Sequence, residues 1–226
     1  MTLAEDTRAA AVKSALDHVL WLGGAPDAGK TTVARLLAER HGFHLYVLDA
    51  AMQAHWAKAN PAWHPAFTAF QALTLDERWV LPTPAAMAQQ IVRIGAERFG
   101  LAIEDLLMLP KRPRILAEGP WLFPELVAPL LSSPHHAIWF VPTTEFKLAS
   151  AARRDKPRVR SQTSDPERTR RNWLERDRLL DAHVRAQAGA LGLTLFEVDG
   201  RLPPDDMAAH LEQHFGLGAA TRGKDR

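Results

Sequence analysis

Eight residues constrain this chain more than any others: Gly24-Ala25-Pro26-Asp27-Ala28-Gly29-Lys30-Thr31, a G-x-x-x-x-G-K-T pattern. The segment before it, His18 to Gly23 (HVLWLG), is a short apolar run that reads as a buried strand. The segment after it, Thr31 to Arg40, puts Val33, Leu36 and Leu37 on one helical face, with Gly42 placed to cap the end. Strand, glycine-rich turn and helix, in that order, make the context in which such a turn becomes an anion nest. The glycines let successive N–H groups point inward. The helix adds its own unpaired amides and the positive end of its dipole. Lys30 then reaches the β- and γ-phosphates and the Thr31 hydroxyl reaches Mg²⁺. Gly24 to Thr31, with Thr32 beside them, are therefore expected to hold a nucleoside triphosphate with Mg²⁺, and ATP is the default.

The rest of the chain alternates strand and helix signals, which predicts an α/β fold with a parallel sheet covered by helices. Phe43 to Leu48 reads as a second strand ending at Asp49, Arg114 to Glu118 as a third, His136 to Val141 as a fourth and Leu193 to Val198 as a fifth. A helix is expected over Thr144 to Arg154. Asp165-Pro166 opens a long one, with Leu180, Val184, Ala188 and Leu191 at helical spacing, and a last helix spans Pro204 to Phe215 with Met207, Leu211 and Phe215 inward. The stretch from Ala50 to Pro113 is too long for a simple connection. It contains at least one helix, starting at the cap Thr83-Pro84 and lined by Met87, Ile91 and Ile94. With 226 residues and 46% hydrophobic content, one domain over residues 1–216 is the simplest count, followed by a mobile tail at 217–226.

Composition removes several chemistries. There is no cysteine, which excludes disulfides, thiolate metal sites and a cysteine nucleophile. No run approaches the roughly 18 apolar residues of a membrane span. The N-terminal residues carry charge without an apolar core, so a secretory signal is not expected and a cytoplasmic setting is. The net charge is only +2, yet residues 153–178 hold ten Lys and Arg against five Asp and Glu. A concentrated basic segment on a near-neutral body points to a local anion site and disfavours a broad nucleic-acid surface.

Taken with an acid ending the second strand (Asp49), an acid ending the third (Glu118) and the arginine-rich segment, the glycine-rich turn resembles that of the P-loop kinases of the nucleoside-monophosphate-kinase type. That group also includes shikimate and gluconate kinases and chloramphenicol phosphotransferase. The resemblance runs from His18 to Phe215. It implies a three-layer sandwich around a five-stranded parallel sheet of order 2-3-1-4-5, a substrate-binding insertion at 50–113 and a lid at 153–165.

On that resemblance Asp49 holds or deprotonates an acceptor hydroxyl, although an aspartate there also suits a helix N-cap. Glu118, in Ala117-Glu118-Gly119-Pro120, takes the Walker B place and joins Thr31 as a metal residue, or else meets substrate. Arg153, Arg154, Arg158 and Arg160 resemble lid arginines that stabilise charge on a transferring phosphoryl group, with Arg153 on the nucleotide and Arg154 and Arg158 catalytic beside Lys30. Arg171 and Arg176 are weaker candidates. In the insertion, Trp56, Trp63 and Trp79 are either core or substrate-stacking, and Arg78 and Lys111 are candidate substrate ligands. His210 and His214, four apart, read as a solvated helix face rather than a zinc site. Asp199-Gly200 either shapes the loop near the base or makes an ordinary turn. The activity implied is phosphoryl transfer from ATP to a small-molecule acceptor. A slow-hydrolysing nucleotide switch and a polynucleotide 5′-kinase are the alternatives, and the oligomeric state stays open.

Overall fold

The computed structural model describes residues 3–153 and 160–218. Five strands form one parallel sheet: β1 Val19–Gly24, β2 His44–Val47, β3 Ile115–Glu118, β4 Ala137–Pro142 and β5 Leu195–Val198, in the order β2-β3-β1-β4-β5. The expected class and strand order are therefore observed. Register pairs Val19 with Ile115, Gly24 with Phe140, Val47 with Glu118 and Val198 with Pro142.

Side-chain alternation along these strands builds two cores. Val19, Trp21, Ile115, Ala117, Ala137, Trp139 and Val141 face one side. Leu20, Leu22, Leu116, Ile138, Phe140, Phe196 and Val198 face the other. The first side is covered by α6 Pro84–Met108 and α9 Pro166–Ala190, which pack on one another, and by α1 Leu3–Ala15 and α7 Pro124–Val127. The second is covered by α2 Lys30–His41 and α10 Pro204–His214. The result is three layers.

The insertion supplies α3 Met52–Lys58, α4 Pro65–Ala72, α5 Leu75–Trp79 and most of α6. Phe67 and Phe70 of α4 pack on Ile94 and Leu101 of α6, with Trp56, Trp79 and Trp121 at the margin, so the insertion carries a small core of its own. Thr83 caps α6 through its side chain, as its sequence predicts, and Asp165 caps α9 in the same way. The helix after β4, α8, is described over Thr144–Arg153, and the rest of its expected span lies outside the described residues. Strand ends shift by one or two residues. Of the four residues at helical spacing, Leu180, Val184 and Ala188 are buried, while Leu191 is the C-cap of α9 and exposed. No helix among the described residues is long and apolar enough to cross a membrane.

Candidate functional site

β1 delivers the chain to the phosphate-type loop at its C-terminal end. Gly24 lies at φ 112°, and an added Cβ would stand 2.1 Å from the Phe140 carbonyl oxygen, so neither the backbone nor the space accepts a side chain. Ala25 N–H bonds to that same Phe140 oxygen at 2.9 Å, which locks the loop's entry to β4. Asp27 is held at φ 60°. The loop enters α2 at Gly29 with no side-chain cap and no acid in the first turn. The first amides of the helix therefore remain available to an anion.

A cleft of about 150 Å³ opens over these amides, lined by Pro26 to Thr32, Asp49, Glu118 and Pro120. Lys30 is only 5% exposed, and its Nζ donates to the Ala25 carbonyl at 2.5 Å. Burial pulls this ammonium down to about 8, against the attraction of Glu118 and Asp49. Thr31 Oγ1 donates to Glu118 Oε1 at 2.8 Å. Glu118 is 2% exposed and raised above the usual carboxylate range by burial, which the Thr31 bond and Lys30 only partly oppose.

The sheet order explains why the two acids meet. β3 lies between β2 and β1, so Glu118 stands between the end of β2 and the loop. Leu48 N–H bonds to the Glu118 carbonyl at 2.9 Å, and the Leu48 side chain lies where a Cβ on Gly119 would be, 2.6 Å away. This close approach turns Asp49 toward the same cleft. Asp49 is not the cap of α3: that position is Ala51, with no side-chain cap bond.

Helices α8 and α9 brace the loop from behind, and the sequence reading missed this. Lys147 Nζ donates to the Pro26 carbonyl at 2.9 Å and pairs with Asp177 at 3.2 Å. Ser150 Oγ donates to the Asp27 carbonyl at 3.1 Å. Burial would raise Asp177, but Arg176 and Lys147 override it and hold the carboxyl below its usual range. One turn further along α9, Asp181 is pushed up to about 6, chiefly by burial, and its Oδ1 has no partner among the described residues. No sequence motif marks Lys147 or Ser150. Their i, i+3 spacing on the helix after β4 is the only signal they carry.

The remaining candidates divide. Arg154 and Arg158 lie outside the described residues, and Arg153 ends α8 with its side chain outside them. Arg160 contributes its carbonyl to Thr163. Arg171 is an exposed residue of α9. Arg176 is committed to Asp177 and to the face of Trp79 rather than to the cleft. Arg78 donates to the Gln71 carbonyl and covers Phe70, so it is a packing residue of the insertion and not a cleft ligand. Lys111 acts on His18, the residue before β1, and so sits at the sheet edge opposite the loop; it cannot serve the cleft. Trp56 stacks on Phe67, and Trp79 meets Phe70 and Trp173, whereas Trp63 stands 79% exposed. His214 is not solvated as expected: its Nε2 donates to the Ala137 carbonyl. No group of three or more His, Asp or Glu able to hold a metal unaided occurs among the described residues. Asp199 accepts from Arg201 N–H, the mark of an ordinary turn.

No protein-family model matches the chain, and no curated protein matches its sequence. Among solved structures, an uncharacterised protein from Eubacterium ventriosum gives a TM-score of 0.45 at 12% identity, over 88% of this chain and 98% of that one. Shikimate kinase from Acinetobacter baumannii, in complex with shikimate, gives 0.47 at 18% identity, over 89% and 95%.

Proposed function

We propose that this protein is a small-molecule kinase that moves the γ-phosphoryl group of a magnesium–nucleoside triphosphate, ATP by default, to an acceptor hydroxyl. One observation carries the reading: Lys30, the bonded pair Thr31–Glu118 and Asp49 line a single cleft over the uncapped start of α2. A simple anion-binding turn would not need two carboxylates beside it, since each repels a phosphate. A cation between phosphate and carboxylate removes that conflict.

The donor set fits Mg²⁺: a hydroxyl and a carboxylate oxygen already 2.8 Å apart, with room for water in the cleft. Bound there, the ion would neutralise charge on the β- and γ-oxygens. The loop amides fix the phosphate chain in line. Lys30 gives up the Ala25 carbonyl and turns its ammonium to the γ-phosphoryl oxygens, where charge gathers as transfer proceeds. Asp49 accepts the proton of the attacking hydroxyl while the new O–P bond forms and the bond to the β–γ bridging oxygen breaks, and the diphosphate leaves.

The test is turnover with γ-labelled ATP and Mg²⁺ against pools of hydroxylated metabolites, nucleosides and antibiotics. Label should move to one pool. Lys30→Ala should abolish the transfer, and Asp49→Asn should slow it while leaving nucleotide affinity near wild type. Nucleotide hydrolysis that no pool stimulates would favour the switch reading, and steeply salt-dependent oligonucleotide binding the polynucleotide one.

A further inference from the structure

Arg98 of α6 is buried completely, at 0% exposure, in the small core of the insertion. Its guanidinium lies 4.7 Å from the Trp121 ring and 5.7 Å from the Phe67 ring. Nη2 donates to the Leu48 carbonyl at 2.7 Å, and Nε to His55 Nδ1 at 3.4 Å. Nη1 has no partner among the described residues. A cation this deep with a donor left over carries a desolvation cost that its few partners must offset. What the arginine does achieve is geometric. The carbonyl it holds belongs to the residue immediately before Asp49, whose charge acts on the same guanidinium. With Leu48 N–H bonded to the Glu118 carbonyl, the residue leading into the acid is held through both its N–H and its C=O.

The arginine is itself held. His55 Nε2 donates to Asp105 Oδ2 at 2.9 Å, which leaves Nδ1 as the acceptor that Arg98 Nε needs. Asp105 also accepts from Tyr46 and Lys58. Burial lowers His55, against the pull of Asp105 and with Arg98 and Lys58 adding to the fall, so the neutral ring that accepts from Arg98 is the stable one. Protonated at both nitrogens, the ring would face Arg98 donor to donor.

We infer that Arg98 is a positioning residue of the acceptor site: backed by His55 and Asp105, it fixes the Leu48–Asp49 corner and so aims the carboxylate at the attacking oxygen. The inference deepens the kinase reading and rests on it. Its test uses MgATP alone, with water as the acceptor, and steady-state hydrolysis by wild type, Asp49→Asn, Arg98→Met and the double variant. Arg98→Met should lower kcat about tenfold at an unchanged KM for MgATP, the size expected when a reacting group is misaimed by a fraction of an ångström. In the Asp49→Asn background the same substitution should cost nothing further, because the group it aims is gone. Arg98→Lys, which keeps a donor for the Leu48 carbonyl, should recover most of the rate. Should Arg98→Met fail to fold, Asp105→Ala, at the accessible end of the chain of contacts, takes its place in the same cycle. Equal losses in both backgrounds, or a raised KM for MgATP, would overturn the positioning role. If Asp49→Asn hydrolyses at the wild-type rate, the reading of Asp49 itself has failed and the positioning role falls with it; if Asp49→Asn is slow and Arg98→Met is not, only the latter has.

Discussion

Nucleotide binding by this protein should take up a proton, through Lys30. In the unliganded cleft, burial brings its ammonium from 10.5 down to about 8. The folded state thus favours neutral lysine. That preference stabilises the fold fully above pH 10.5 and is lost as pH falls through 8, where the buried charge comes to cost about 3 kcal/mol. A triphosphate removes the cost by bringing several negative charges into contact with the ammonium, which then stays protonated well above pH 9. Binding should therefore take up about 0.1 proton at pH 7, about 0.5 at pH 8 and about 0.9 at pH 9. The dissociation constant for MgATP should rise about twofold at pH 8 and about tenfold at pH 9 relative to pH 6. Calorimetric titrations at each pH, in buffers of different ionisation enthalpy, read the uptake directly as a slope. Lys30→Arg, which cannot titrate in this range, should give zero slope. Lys30→Met should lose nucleotide binding yet melt higher than wild type at pH 7, because the buried charge is gone. A wild-type slope of zero at pH 9, with binding intact, would refute the reasoning.

Three further substitutions probe the frame around the cleft. Ser150→Ala removes the hydrogen bond to the Asp27 carbonyl and frees a strained loop residue; MgATP affinity should fall about three- to tenfold in a titration, with little change in melting temperature. Gly24→Ala places a Cβ against the Phe140 backbone at positive φ; denaturant unfolding should show a loss of about 3 kcal/mol or more, or no folded protein. Asp181→Asn acts through pH. The carboxyl is raised to about 6, so its protonated form supports the fold below pH 4 and that support is lost as pH rises through 6. The variant should therefore gain up to about 3 kcal/mol over wild type at pH 8 and almost nothing at pH 4, read from melts at both.

The parts of the cleft that were legible in the sequence are those the backbone delivers locally. Lys30 and Thr31 follow a strand and open a helix. Asp49 and Glu118 end apolar runs whose C-terminal ends must share one edge once the sheet is parallel. Residues that act by holding a carbonyl left no such trace. Arg98 grips Leu48 from 50 positions away, and Lys147 and Ser150 grip Pro26 and Asp27 from more than 120. A carbonyl oxygen is the same whatever residue bears it, so its partner cannot be found by pattern. The misreading of Lys111 has a related cause. Nearness to β3 in sequence does not say which edge of the sheet a loop occupies, and the strand's own direction puts its entry far from its exit. The same logic explains α6: its start was marked by Thr83-Pro84, but its far end, where Leu101 and Leu106 are buried, depends on α4 and β3 being there to cover it. Groups proposed to touch phosphate thus sit at local, readable turns, while the groups that aim them are spread over helices built for packing. In such a cleft, substitutions that alter rate without altering nucleotide affinity are expected first among buried polar residues with a backbone partner close to the acids, and Arg98, fully buried on the Leu48 carbonyl, meets that description.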